Sequence, residues 1–277
     1  TNMVTLTFPG CTTALVYTEE GVEQVNLVDG GVLRVTLDCG QAFRWSESGG
    51  VWTGVARGRS LKLAQRGDEI TFFNTTMVDF NEVWRDYFDL DRDYAAIKSA
   101  VSANEIIRAA ADFAGGIHIL RQEPWEAVCS FIISANNNIP RIKGIITRLC
   151  ESYGENLGDG NYAFPTPQRL FQLTVDDLAP LKSGFRAKYI LDAAKKFAEG
   201  EIDVAALYTL PIDEARAELM KINGVGPKVA DCALLFGWSR VECFPVDVWI
   251  RRAMERLFGE KGLPDVAKPH AGIVQQY

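Results

Sequence analysis

The sequence predicts an α+β protein, with an amino-terminal antiparallel β-sheet domain and a mostly α-helical remainder. Three observations lead there. First, the segments VTLTF, GVLRVTL, FRW, VWTGVA, SLKLAQ and EITFF alternate or cluster β-forming residues between turn residues. Their connections are too short for parallel crossovers, so the sheet is expected to be antiparallel. Second, from about Asp79 apolar residues recur three and four apart, in NEVWRDYF, YAAIKSAVSA and NEIIRAAADF. Third, nearly everything after Pro124 keeps that helical period and is punctuated by helix starts. The helical segments are WEAVCSFIISA, IPRIKGIITRLCESYG, TPQRLFQL, TVDDLAPL, AKYILDAAKKFAEG, IDEARAELMKI, PKVADCALLFG and VDVWIRRAMERLF. Thr166 stands as a cap before Pro167, and Thr174 to Asp177 has an acidic first turn. The expected domains are residues 1–115, β-rich and ending in short helices, and residues 116–277, helical. No repeat of fixed period interrupts them.

With 277 residues, 47% of them apolar, the chain can build a sizeable core. No apolar run is long enough to span a membrane, and the opening TNMVTLTFPG lacks the basic start of a secretion signal. A cytoplasmic protein with no membrane partner is expected. Cys11, Cys39, Cys129, Cys150, Cys232 and Cys243 include no Cys-x-x-Cys pair and have no histidine near them, which argues against zinc. Reduced thiols fit a chain of this size better than a disulfide framework. The net charge of −7 counts against a nucleic-acid partner. Local basic clusters do exist, at Lys182, Arg186, Lys188, Lys195 and Lys196 and at Arg251, Arg252 and Arg256. Each reads either as a solvated helix face or as a patch for an anion.

The densest information lies between Leu219 and Leu257. Ile222-Asn223-Gly224-Val225-Gly226 joins two helical segments through a tight turn, and Pro227 opens the second where its missing N–H costs nothing. A helix-hairpin-helix of this kind directs backbone N–H groups at Gly224 and Gly226 toward a phosphate without needing positive charge. A plain Gly-x-Gly turn between helices has the same pattern. Lys228 follows, with Cys232 four residues on along the same face. At a helix N-terminus the macrodipole disfavours an ammonium, which suits an amine nucleophile; an ordinary surface lysine is the alternative. Asp247 precedes the last long helix, as its N-cap, as a carboxylate stabilising positive charge on a sugar, or as both.

Together these features resemble the helix-hairpin-helix glycosylase superfamily in its lysine-bearing branch. Three further stretches resemble the 8-oxoguanine DNA glycosylase family. Gly40-Gln41-Ala42-Phe43-Arg44-Trp45 is similar to its GQ-x-FRW loop. Leu120-Arg121-Gln122-Glu123-Pro124, followed by Ser134-Ala135-Asn136-Asn137-Asn138-Ile139-Pro140-Arg141, is similar to its LRQDP…SSNNNIAR segment. Gly226-Pro227-Lys228-Val229-Ala230-Asp231-Cys232 is similar to its G-x-KVADC run.

The resemblance implies an amino-terminal antiparallel sheet domain packed on a helix-hairpin-helix glycosylase core. It implies a bifunctional enzyme that excises 8-oxoguanine opposite cytosine and cleaves the strand by β-elimination, with Lys228 and Asp247 catalytic. Cys232 would lie against the damaged base, the Gly40 carbonyl would accept its N7–H, and Gln275 would read its pairing edge. Asn136, Arg141 and Arg186 would fill the gap beside the orphaned cytosine, with Phe185 wedging the duplex. The carbonyls of Met220, Ile222 and Val225 would bind a monovalent cation; no other cofactor, and no iron–sulfur cluster, is implied. The partner would be double-stranded DNA bound by a monomer, nucleoid-associated in the cytoplasm.

Asn223 replaces a proline usual in the family's hairpin, and Trp249 a histidine that contacts DNA in animal members. Both point to a bacterial or archaeal relative. The aromatic that forms the second pocket wall in the family would follow Tyr277 and is not assigned. Alkylation-repair glycosylases lack the lysine, and endonuclease III-type relatives need four cysteines after the catalytic aspartate, where this chain has none. A non-catalytic DNA-binding module would explain the hairpin but leave Lys228, Cys232, Asp247 and the Asn136–Asn138 run as coincidence.

Overall fold

The computed structural model describes residues 3–7, 13–18, 21–26, 33–67 and 69–277; Cys11 and Phe8 lie outside them. Two compact units are present. The first comprises Thr1–Gly54, Ser60–Arg121 and Val248–Tyr277, the second Val55–Arg59 and Gln122–Asp247. The units interleave along the chain, whereas the sequence expectation placed one boundary between 115 and 116.

The antiparallel sheet forms as expected. It has seven strands in the order β3-β2-β1-β7-β6-β5-β4: β1 (Met3–Thr7), β2 (Thr13–Thr18), β3 (Gly21–Asn26), β4 (Trp45–Ser48), β5 (Val51–Ala56), β6 (Arg59–Arg66) and β7 (Glu69–Phe73). Strands β2 and β3 lie in the part read as β but outside the segments singled out from the sequence. Their register pairs Thr18 with Gly21, and the intervening Glu19-Glu20 carries none of the usual hairpin-turn residues. Of GVLRVTL, read as a strand, Gly31 and Val32 lie outside the described residues and the rest is instead helical, as α1 (Leu33–Leu37). Its β-branched residues suggested a strand, but Leu33, Thr36 and Leu37 are buried at i, i+3 and i+4, a helical face.

Short helices follow: α2 (Met77–Asp79) and α3 (Arg85–Tyr87), joined by a π-helical stretch at Phe80–Trp84, then α4 (Tyr94–Val101) and α5 (Glu105–Phe113). Rings of Trp45, Phe72, Phe80, Trp84, Tyr87 and Phe88 form the core, with centroids 5.1–6.5 Å apart. Trp45 donates its indole N–H to the Tyr87 hydroxyl at 3.0 Å. Asp89, buried at φ +53°, accepts from Tyr94 Oη at 2.8 Å, and Tyr94 Oη in turn accepts from the Ile119 N–H at 2.7 Å.

The second unit contains α6 (Pro124–Ser134), α7 (Ile139–Tyr153), α8 (Pro167–Phe171), α9 (Arg186–Ala198), α10 (Ile212–Leu219) and α11 (Pro227–Gly237). Thr166 caps α8 by accepting the Arg169 N–H, with Pro167 opening the helix as expected. TVDDLAPL does not extend as an α-helix. Thr174 and Asp177 close a reciprocal side-chain-to-backbone turn, and only Ala179–Leu181 winds on, as a 3-10 turn. A two-stranded ribbon, β8 (Asn156–Gly158) with β9 (Asn161–Tyr162), fills the stretch between two expected helical segments. Helices α12 (Val248–Phe258) and α13 (Ala271–Gln276) close the chain within the first unit. Among the described residues no helix is long and apolar enough to cross a membrane.

Gly54 sits opposite Trp45 across β4 and β5, and a Cβ added there would lie 2.3 Å from the indole. Gly54→Ala is expected to cost about 1–3 kcal/mol by displacing Trp45 from the Tyr87 hydroxyl. Thermal unfolding measures this; an unchanged midpoint would show that the ring moves at no cost.

Candidate functional site

Lys228 stands in the first turn of α11. Gly226 occupies the N-cap with extended backbone (φ −96°, ψ −178°) and no side-chain cap, and Pro227 is the first helical residue. The half-buried Lys228 places Nζ 5.8 Å from the centroid of the Phe131 ring on α6. One turn later Cys232 is buried, with Lys228 in hydrogen-bonding reach of its thiol. Burial pushes that thiol up to about 11, although Lys228 pulls it down and the charges of Asp231 and Asp247 push it further up. Asp247 is exposed immediately ahead of α12, close enough for its charge to act on Cys232. The second unit therefore brings together Lys228, Cys232 and Asp247.

Asp231, inside the same run, has a framework role that sequence reasoning missed. It is buried, accepts from Arg216 Nε of α10 at 2.9 Å, and is bonded to the Cys243 thiol. Burial raises its pKa, against the opposing pull of Arg216. The pair clamps the two helices that flank the hairpin.

The hairpin runs from Met220, the C-cap of α10, to Gly226. Gly224 has φ +83°, and a Cβ there would meet the Tyr189 ring of α9 at 2.4 Å, so only glycine fits. Around Gly226 nothing lies within 4 Å of an added Cβ, so that side of the turn is open. The Ile222 carbonyl accepts the Val225 N–H at 3.1 Å, which leaves it one lone pair for another partner. The Asn223 N–H donates to Asp192 Oδ2 at 2.7 Å, and Lys196 Nζ holds Oδ1 of the same carboxylate at 2.7 Å. Burial alone would raise Asp192, but Lys196 and the Asn223 N–H outweigh it and hold the carboxyl below its ordinary range. Nothing in local periodicity singles out Asp192; the one clue is that position 223 is not proline.

A second cluster joins the ends of α6 and α9. Asn136 follows α6 in the left-handed region, at φ +50°, and Asn138 caps α7 by accepting the Arg141 N–H at 3.0 Å. Arg186 is 2% exposed, and its guanidinium serves backbone carbonyls: Nε and Nη2 donate to Ala135 O at 3.1 and 2.6 Å, Nη2 to Asn136 O at 2.8 Å, and Nη1 to Ser183 O at 3.3 Å. Burial, together with the neighbouring Arg141 charge, lowers its pKa. Arg141 itself is exposed, with a long 3.5 Å contact to Lys182 O. Phe185 is 54% exposed, with the Arg186 guanidinium 4.4 Å from its ring centroid and Tyr189 edge-on at 6.0 Å. Arg148, also missed from sequence, pins the preceding loop through two bonds to Leu181 O at 3.1 and 2.9 Å.

Gly40 and Gln275 belong to the first unit. Gly40 has φ +85°, a backbone that L side chains rarely adopt. The adjacent Gln41 is 1% exposed and saturates its amide: Nε2 donates to Thr36 O and His118 O at 2.8 Å each, and Oε1 accepts the Leu120 N–H at 2.9 Å. This buried amide fixes the loop that carries Gly40. Gln275 is half-buried on α13.

Gln41→Leu would remove three buried hydrogen bonds, to Thr36 O, His118 O and the Leu120 N–H, and is expected to cost about 1–3 kcal/mol for each group left without a partner. Gln41→Glu would face a carboxylate with two carbonyl oxygens, raising its pKa in the folded state. Its stability should therefore be best in acid and fall as pH rises through that pKa. Denaturant titrations at several pH values check both, and a pH-independent Gln41→Glu difference from the parent would show the loop rearranging around the charge.

Residues 29–128 match the family described as 8-oxoguanine DNA glycosylase, N-terminal domain, and residues 129–271 match the HhH-GPD superfamily of base excision DNA repair proteins. Among solved structures, MBOgg1 in complex with a low affinity DNA ligand is 40% identical, with 99% of this chain and 96% of that one covered and a TM-score of 0.85. The apo form of Clostridium acetobutylicum 8-oxoguanine glycosylase/lyase is 36% identical, with the same coverages and TM-score. The Clostridium protein in complex with dsDNA containing cytosine opposite to 8-oxoG is 35% identical, covers 96% and 93% of the two chains, and has a TM-score of 0.84. The N-glycosylase/DNA lyase of Saccharomyces cerevisiae is 41% identical over 156 residues, 51% of this chain and 42% of that protein. Across the three N-glycosylase/DNA lyase relatives the match spans 42% to 64% of their own length. With both family matches in chain order and a 36% identical glycosylase/lyase covered almost end to end, the chain belongs to the 8-oxoguanine DNA glycosylase family of the helix-hairpin-helix superfamily.

Proposed function

We propose that this protein is a bifunctional DNA glycosylase/AP lyase of base excision repair that flips 8-oxoguanine opposite cytosine out of duplex DNA, excises it, and cleaves the strand. The observation that carries the reading is the Lys228 amine beside a buried Cys232 thiol, with Asp247 in electrostatic reach, at the start of the helix that follows the hairpin. Two nucleophile types stand one helical turn apart. The thiol stays protonated at neutral pH because burial holds it up near 11, so the amine is the group left to react.

In the proposed reaction Lys228 Nζ attacks C1′ of the lesion nucleotide and the C1′–N9 bond breaks, its electron pair leaving with the base. Asp247 stabilises the positive charge that develops on the sugar. Loss of a proton from nitrogen and opening of the sugar ring give an imine. Removal of a C2′ proton then expels the 3′ phosphate by β-elimination, and water releases Lys228. Flipping gives access to C1′, at a cost lowered where Phe185 fills the vacated stack.

Cys232 would contact the extruded base and Gln275 its pairing edge, which guanine shares. Discrimination would rest on the Gly40 carbonyl, which accepts the N7–H of 8-oxoguanine but would meet a lone pair on guanine. Asn136 and Arg141 would address the orphaned cytosine, within a turn held by Arg186. The backbone N–H groups at Gly224 and Gly226 would take a phosphate. The carbonyls of Met220, Ile222 and Val225 would hold a monovalent cation that adds positive charge there. A monomer acting on the chromosome in the cytoplasm fits this reading.

Borohydride should trap the protein covalently on duplex containing 8-oxoguanine opposite cytosine, and Lys228→Gln should abolish trapping. Undiminished trapping in that variant would place the nucleophile elsewhere. Replacing Arg141 by Ala should flatten the preference among bases opposite the lesion by about 1–3 kcal/mol per lost contact, measured as relative kcat/KM. Uniformly weaker binding with the preference intact would make Arg141 a phosphate contact instead.

A further inference from the structure

We infer that Asp192 is a positioning residue that latches the hairpin to α9, holding its backbone in the form that receives a DNA phosphate. The latch has two adjoining parts. Tyr189 and Asp192 lie three residues apart on α9 and so share a face. Tyr189 packs flat against Gly224, where no Cβ fits, and Asp192 Oδ2 accepts the Asn223 N–H at 2.7 Å. Consecutive hairpin residues are thus held by one helix. The second carboxylate oxygen is held by Lys196 Nζ at 2.7 Å, which fixes the acceptor's direction.

An acid is an odd neighbour for an anion site. A carboxylate one residue away from a phosphate-binding turn lies well within the screening length of about 8–10 Å, and by charge alone it weakens DNA binding. Its presence is accounted for by the N–H it holds. That N–H exists because position 223 is asparagine: a proline there removes the donor and supplies stiffness of its own. In this chain a charge-assisted hydrogen bond takes the place of the stiffness that a proline ring would supply. The inference rests on the proposed function only in taking the hairpin as the phosphate contact.

Two measurements on the full chain test it. In the first, without DNA, hydrogen exchange is followed at the Asn223 amide. Asp192→Ala should speed exchange by about tenfold or more, whereas Asp192→Asn, whose amide oxygen still accepts, should retain most of the protection. Unchanged exchange in Asp192→Ala overturns the latch.

The second measures Kd for undamaged duplex in Asp192→Ala, Asn223→Pro and the double variant. Asp192→Ala should weaken binding about tenfold, opposite in sign to the tightening that loss of a bystander negative charge produces. In the Asn223→Pro background the same change should no longer weaken binding, because its partner is already gone. Tightening in Asp192→Ala, or equal weakening in both backgrounds, overturns the positioning role. Fast exchange combined with unchanged Kd supports the latch but removes the hairpin as a phosphate contact, and so tells the two ideas apart.

Discussion

The contact on which the proposed reactive centre depends is the close packing of α6 against α11. At Gly237 an added Cβ would lie 3.0 Å from Ala127 Cβ and 3.1 Å from Pro124 Cα, so the helices approach too closely there for any side chain at 237. Phe131 and Phe236 stack across the same seam with centroids 5.4 Å apart, and the Gln122 N–H donates to Phe236 O at 2.8 Å just before α6 begins. Residues 229–237 are all buried, which leaves α11 no freedom to slide or turn. The position of Lys228 follows from that immobility. Its amine lies 5.8 Å from the Phe131 ring centroid and beside Cys232, at the start of a helix fixed by packing.

If a chain of net charge −7 is to act on a polyanion, as proposed, it must keep its acids out of the way. Near the hairpin it does so by pairing them inward. Asp231 is buried against Arg216 and Cys243, and Asp192 against Lys196 and the Asn223 N–H. Both acids then act on the framework: one clamps α10 to α11, and the other faces the turn between those helices. The charge cost falls on residues that earn it structurally, while the open side at Gly226 presents only backbone.

Legibility of the sequence divided along the same physical line. Short-range signals were readable: the period of the helices from α4 onward, the Thr166–Pro167 helix start, the hairpin glycines, and the placement of Lys228 and Cys232 on one face. Signals set by tertiary context were not. GVLRVTL is rich in β-branched residues, yet its described part, Leu33–Leu37, forms a helix, because burial of Leu33, Thr36 and Leu37 requires that period. TVDDLAPL has a helical start that its own Thr174–Asp177 turn completes and closes. Side chains that work by reaching distant backbone, such as Gln41 to His118 and Leu120, Arg148 to Leu181, and Asp192 to Asn223, leave no periodic trace.

Arg186 shows why residue type and position are not yet a role. A family resemblance assigns it to the orphaned base, and its place at the start of α9 beside the exposed Phe185 agrees with that. Yet the guanidinium has five N–H donors, and four contacts to Ala135, Asn136 and Ser183 carbonyls already engage it while the residue is 2% exposed. To turn those donors toward a base it would have to give up its hydrogen bonds to carbonyls of the very turn that holds Asn136 in its left-handed conformation. Arg141, exposed and with only a long contact to Lys182, carries no such obligation. The physical division is then between an arginine that frames the turn and an arginine that reaches from it. Lysine cannot stand in for the first, because a point charge does not span three carbonyls at fixed angles as a planar guanidinium does.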